Sequence, residues 1–89
     1  MKVTLGKEGL KKTWQAEFPE NTTCCRCGGE ARIGFVAHEA MSDSDHKPPY
    51  VCGLHPNKGK GEFWLHDCCA VAIYFCKECL KVTANYNQG

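Results

Sequence analysis

The sequence predicts a small, β-rich domain stabilised by metal, and three observations carry that prediction. The chain has 89 residues, and domains of this size bury so small a core that they commonly rely on extra staples. It has 8 cysteines, all but Cys52 crowded into CCRCGG (24–29), HDCC (66–69) and CKEC (76–79). Its apolar residues alternate with polar ones over several short runs, the period of half-buried strands. Residues 1–89 are therefore expected to form a single zinc-binding domain, with a lead-in strand segment over 1–23, a zinc-binding core over 24–82 and a tail over 83–89.

Taken in chain order, the first element is KKTWQAEF. Trp14, Ala16 and Phe18 alternate with Thr13, Gln15 and Glu17, and Pro19 ends the run, which predicts a strand. Leu10, Trp14 and Phe18 also fit a helical stripe, but alternation covers more residues. In EARIGFVAHEA, Ala31, Ile33, Phe35 and Ala37 alternate with Arg32, Gly34, Val36 and His38, predicting a second strand. MSDSDHKPP is polar and ends in two prolines, so it is read as a loop; its DSD triplet lacks the glycine and distal glutamate of a calcium loop. PPYVCGLHPNKGKGEFWLHDCC then reads as a hairpin around NKGKG. AVAIYF is rich in strand formers and leads into CKECLKVTANY, for which a short C-terminal helix capped by Asp67 is the alternative.

Compartment decides whether cysteines serve as disulfides or as metal thiolates. The segment MKVTLGKEGLKK has charge but no apolar run behind it, unlike a signal peptide, and no stretch approaches the roughly 20 apolar residues of a membrane span. A cytoplasmic chain with reduced thiols and no membrane partner is expected. The formal net charge is +1; six thiolates around two zinc ions would take it to about −1. The basic excess that usually marks nucleic-acid binding is missing, so a protein partner is expected before a nucleic acid.

A tetrahedral zinc ion takes four nitrogen or sulfur ligands, and a tight turn presents two of them three residues apart. Cys24 and Cys27 have that spacing, with Cys25 left over. Gly28 and Gly29 suit the backbone that folds back toward a thiolate, because glycine adopts positive φ cheaply. The same rule yields Cys52 with His55, His66 with Cys69, and Cys76 with Cys79, with Cys68 as an alternate to Cys69. Eight ligands suffice for two ions. A nested arrangement puts Cys24, Cys27, Cys76 and Cys79 on one ion and Cys52, His55, His66 and Cys69 on the other; the inner pairs flank one short hairpin, so that site closes at little cost in loop entropy. A cross-braced arrangement, first pair with third and second with fourth, is the alternative. His38 and His46 are read as loop histidines, either of which could replace a weaker ligand.

TTCCRCGGEARIGFV and IYFCKECLKVTANY resemble the two knuckle-bearing hairpins of zinc ribbons and rubredoxin-like proteins, and FCKECL also resembles the last knuckle of treble-clef fingers. The resemblance covers about 30 residues and implies zinc-ribbon-like hairpins with a four-thiolate site at Cys24, Cys27, Cys76 and Cys79. The long insertion between the knuckles, with its second predicted site, departs from that pattern, so no activity is carried over.

A non-enzymatic structural or adaptor module is the expected function. The same four thiolates could hold iron in an electron carrier, and a zinc- or thiol-dependent enzyme is the third reading. An open metal position would be needed for catalysis, whereas a full ligand set is available. His38 is followed directly by Glu39, and Phe75 precedes Cys76, so the H-x-E and P-C-x-x-C signature of zinc deaminases is absent. Cys25 and Cys68 are read as small buried residues, or as alternates that could replace Cys24 or Cys69 in a site. KGKGEFW, with Lys58, Lys60, Phe63 and Trp64, carries the mixture of cations and aromatics that binds single strands, extended by Arg26 and Arg32; lysines in a glycine turn more commonly serve solubility.

Overall fold

The structure, a computed structural model, describes residues 2–13, 15–39 and 69–88. The chain forms five strands: β1 (Lys2–Leu5), β2 (Asn21–Thr23), β3 (Glu30–His38), β4 (Cys69–Cys76) and β5 (Val82–Gln88). One short 3-10 helix, Gly6–Lys11, follows β1. The strands form a single antiparallel sheet in the order β1-β3-β4-β5, with β2 also paired to β3. Thr4 lies opposite Val36 and Thr22 opposite Ala31. β1 and β2 thus share one edge of β3, and the chain leaves the sheet between them over positions 6–20.

That excursion covers one face of the sheet, here called the inner face. Ala31, Val36, His38, Ala70, Ala72, Tyr74 and Cys76 are all buried there. Phe18 closes over them, and Leu10 and Ile33 pack against the cluster. Three small alanines leave the depth that the excursion needs. Gly9 allows its closest approach: a Cβ there would stand 2.8 Å from the Thr4 carbonyl oxygen and 2.9 Å from Val36 Cγ2. Polar contacts then tie the excursion across the strands. The Tyr74 hydroxyl donates to the Pro19 carbonyl at 2.6 Å, Thr13 Oγ1 donates to Asn87 Oδ1 at 2.6 Å, and the Phe18 N–H reaches the Leu10 carbonyl at 3.1 Å.

The strand predicted over 31–38 is present, but its faces do not alternate throughout. Ile33 pairs with Tyr74 and Phe35 with Ile73, so a bulge falls at Gly34. One extra residue in a strand reverses which side chains face inward beyond it. Ala31 and Ile33 therefore share the inner face with Val36 and His38, while Phe35 and Ala37 turn outward. Gly34 lies under the Phe75 ring, which occupies the space a Cβ would need, and the Phe35 and Phe75 rings stand 6.4 Å apart, tilted by 52°.

Four further expectations are corrected. The lead-in stretch KKTWQAEF is not a strand: it begins in the 3-10 helix and continues as irregular chain through Phe18, Trp14 itself lying outside the described residues. The C-terminal region is not helical, because β-branched and aromatic residues at 71–75 continue the ladder to β3. The tail expected over 83–89 is largely strand: Val82–Gln88 form β5, paired to β4 along its length. His38, read as a loop residue, ends β3 and is buried, its Nε2 3.0 Å from Thr4 Oγ1 and its Nδ1 3.2 Å from the Glu39 carbonyl oxygen. With Nδ1–H donating to that carbonyl, Nε2 accepts from the threonine hydroxyl, which pins β1 to β3.

Candidate metal centre

Two matching turns build the site. The first joins β2 to β3 through Cys24–Gly29, the second joins β4 to β5 through Cys76–Lys81. Each is closed at its base by the same bond, Cys24 N–H to the Gly29 carbonyl at 2.8 Å and Cys76 N–H to the Lys81 carbonyl at 3.0 Å. In each, the residue after the second cysteine has positive φ, +76° at Gly28 and +60° at Leu80. That reversal aims backbone N–H groups at the sulfurs. Arg26 N–H points at Cys24 Sγ and Gly29 N–H at Cys27 Sγ, each at 3.4 Å. Glu78 and Cys79 N–H both point at Cys76 Sγ at 3.4 Å. Cys27 N–H completes the set on Cys24, and Lys81 N–H does so on Cys79.

The two turns face each other, and the ligand atoms of Cys24, Cys27, Cys76 and Cys79 all lie within 4.8 Å of one another. Cys24 Sγ stands 3.6 Å from Cys79 Sγ, and Cys27 Sγ 3.5 Å from Cys76 Sγ. A zinc ion with bonds of about 2.3 Å to four sulfurs places them roughly 3.8 Å apart at tetrahedral angles, so this cluster is capable of binding one such ion. Cys24 and Cys76 are buried, Cys79 is partly covered and Cys27 is exposed. Among the described residues it is the one cysteine cluster of this kind.

The N–H groups also set the acidity of the thiols. Donation from Cys27 and Arg26 lowers Cys24 to about 6, and donation from Cys79 and Glu78 lowers Cys76. Cys27 is pulled down by the Gly29 N–H, but the neighbouring Cys76 and Cys79 outweigh this and raise it to about 12. Cys79 is likewise raised, by burial and by Cys24 and Cys76, against the Lys81 N–H. Four adjacent thiols cannot all ionise without a cation among them. The arrangement thus favours the thiolate form at Cys24 and Cys76 and the thiol form at Cys27 and Cys79, whose protons a metal ion would displace.

The nested grouping of these four cysteines is the one the fold assembles. Cys69 stands at the opposite end of β4 from Cys76, roughly 23 Å away at about 3.3 Å per residue, so the cross-braced arrangement is excluded for these pairs. Cys69 is buried, and its N–H donates to Glu39 Oε2 at 3.0 Å. Cys52, His55, His66, Cys68 and His46 lie outside the described residues, as does the KGKGEFW segment. Cys25, read as buried, is exposed; its N–H donates to Thr83 Oγ1 at 3.0 Å, which ties the first turn to β5. Thr83 is a residue that sequence reasoning missed, since nothing in VTANY marks a support for a turn 58 residues earlier. Arg32 is paired with Glu30 at 2.8 Å.

No protein-family model, curated protein or solved structure matches this chain.

Proposed function

We propose that this chain is a structural zinc module of the zinc-ribbon kind, whose metal organises two knuckle-bearing hairpins into a platform for a protein partner. The observation that supports it most is the pair of equivalent turns, each directing N–H groups onto two sulfurs whose spacing suits a tetrahedral ion. Four protein ligands fill such an ion's coordination sphere and leave no position for substrate or water, which favours a structural over a catalytic role. Thiolate ligands require reduced cysteines, so we assign the protein to a reducing compartment such as the cytoplasm. A second zinc ion on Cys52, His55, His66 and Cys69 is part of the same proposal.

A second reading, an iron-containing electron carrier, is favoured by one observation: Cys27 is exposed, which would bring one ligand sulfur to the surface. One experiment separates the readings. Protein purified without added metal is analysed for metal content, by native against denatured mass and by absorption spectrum, alongside Cys76→Ser and Cys25→Ser. Colourless protein with zinc, a Cys76→Ser variant that loses that metal and unfolds, and a Cys25→Ser variant that keeps it are expected. Visible absorption from iron would move electron transfer to the front, and a folded Cys76→Ser variant with full metal content would sink the four-cysteine site.

A further inference from the structure

We propose that β5 is a self-pairing edge, through which two copies of this chain join antiparallel about a two-fold axis at Ala84 to form one continuous sheet. The inference is independent of which metal the cysteines hold.

The hydrogen-bond phase of the β4–β5 ladder shows which backbone groups are turned outward. Cys76 N–H bonds the Lys81 carbonyl, and bonded pairs alternate along an antiparallel ladder. The pairs Tyr74–Thr83, Ala72–Asn85 and Ala70–Asn87 therefore use the backbone of Thr83, Asn85 and Asn87. The N–H and C=O groups of Val82, Ala84 and Tyr86 point away from β4; the Val82 carbonyl there accepts from the Cys25 thiol at 3.6 Å and keeps its second lone pair for another donor. Among the described residues, no strand pairs with that side of β5.

Exposed edges are usually blunted by charges, prolines, bulges or short length. The opposite edge of this sheet has such features: β2 spans only Asn21–Thr23, and β1 carries Lys2 and is separated from β2 by the excursion over 6–20. β5 has none of them. VTANYNQ contains no charge and no proline, and its pairing to β4 runs without a bulge. Val82 and Tyr86 are 48% and 59% exposed, so the side chains along this edge are apolar as well.

These features fit a second copy rather than a partner recognised by charge. Centred on Ala84, self-pairing sets Val82 opposite Tyr86 of the second copy, twice, as β-branched and aromatic neighbours that favour cross-strand contact. Lys81 falls opposite Asn87 of the second copy, so no like charges meet. Because the interface is isologous and the other edge is protected, the assembly closes at two copies and does not extend into a filament.

The test is sedimentation velocity over a concentration series on metal-loaded, reduced full chain. Wild type is expected to be a dimer. Ala84→Pro removes only an outward N–H, a substitution that edge strands tolerate, and is expected to weaken dimerisation by about tenfold or more through loss of the symmetric bonds at the axis. Ala84→Lys and Ala84→Glu each place like charges across the axis and are expected to be monomeric alone, while an equal mixture of the two recovers a dimer. In wild type the Ala84 and Tyr86 amides should exchange slowly in hydrogen-exchange measurements, and rapidly in the Lys variant. A monomeric wild type would overturn the proposal, whether those amides exchange rapidly or are slowed by pairing within the same chain. So would variants that dimerise as wild type does, which would place the contact on another surface.

Discussion

At the scale of single residues, the two metal turns offer an internal comparison. Position 28 is glycine and position 80 is leucine, yet both have positive φ. A side chain in that region crowds the carbonyl that follows, at about 1–2 kcal/mol. Leu80 is also 80% exposed, so it returns little burial for that strain. Leu80→Gly should raise stability by about 0.5–1 kcal/mol, the relief of strain less the greater backbone entropy glycine loses on folding. Denaturant unfolding at fixed free zinc would read this, and an unchanged or lower midpoint would refute it. His38 gives a second residue-level prediction. Burial lowers its pKa, against the hydrogen bond to Glu39 and with smaller help from Lys12 and Lys2. A histidine with a depressed folded pKa contributes its full stability above the unfolded value of about 6.5, and loses it as pH falls below that value, because the unfolded chain binds the proton first. His38→Gln should therefore show a shallower loss of stability than wild type between about pH 6.5 and 5, compared by parallel unfolding curves. Identical slopes in the two proteins would show that His38 does not titrate in this window.

At the scale of elements, the spacing of cysteines was far more legible than the strands that carry them. A ligand pair three residues apart is a local geometric requirement, so Cys24 with Cys27 and Cys76 with Cys79 could be read directly, as could the continuous apolar run of β4. β3 was legible as a strand but not in its facing, because the bulge at Gly34 depends on Phe75 covering the glycine from the next strand. The outgoing strand of the second knuckle is implied by the resemblance of IYFCKECLKVTANY to a hairpin, but its full extent is not legible, because VTANYNQ is rich in asparagine, which local propensity assigns to loops; its inner face is polar because Thr83 and Asn87 answer partners far away in sequence, Cys25 and Thr13. The excursion over 6–20 was misread for a related reason. Its shape follows from the sheet beneath it and from Gly9, where a Cβ would stand 2.8 and 2.9 Å from atoms of β1 and β3. Gly9→Ala should accordingly destabilise the domain by about 1–3 kcal/mol through overpacking. A fall in thermal midpoint with metal content intact is the expected result; an unchanged midpoint would mean that the 3-10 helix moves aside freely.

At the scale of the whole molecule, stability and metal binding should be one quantity. A structural zinc site contributes about 10–16 kcal/mol at neutral pH in minimal domains, comparable to or larger than the net stability of about 5–15 kcal/mol that folded domains retain. Removing the ion would leave four crowded sulfurs, of which Cys27 and Cys79 are already disfavoured as thiolates by their neighbours. The sheet should then open first at the turns, since β2–β3 and β4–β5 meet there through the cluster. Protons compete for the same sulfurs. The unfolded, metal-free chain holds its thiol protons up to about pH 8.5, while the metal-bound fold holds none on its ligands, so the unfolded state binds more protons throughout the range below. Stability at constant free zinc must therefore rise with pH up to about 8.5 and fall on acidification, by up to about 5 kcal/mol per pH unit if four protons are taken up together. Circular dichroism melts at pH 6, 7 and 8 in a zinc buffer, with a chelator-treated control, would measure this. The expected outcome is a melting midpoint that drops steeply toward pH 6 and a control without a cooperative transition; a chelated protein that melts as the zinc-bound one does would show that the inner-face core, with Tyr74, Val36 and Phe18, suffices without the metal.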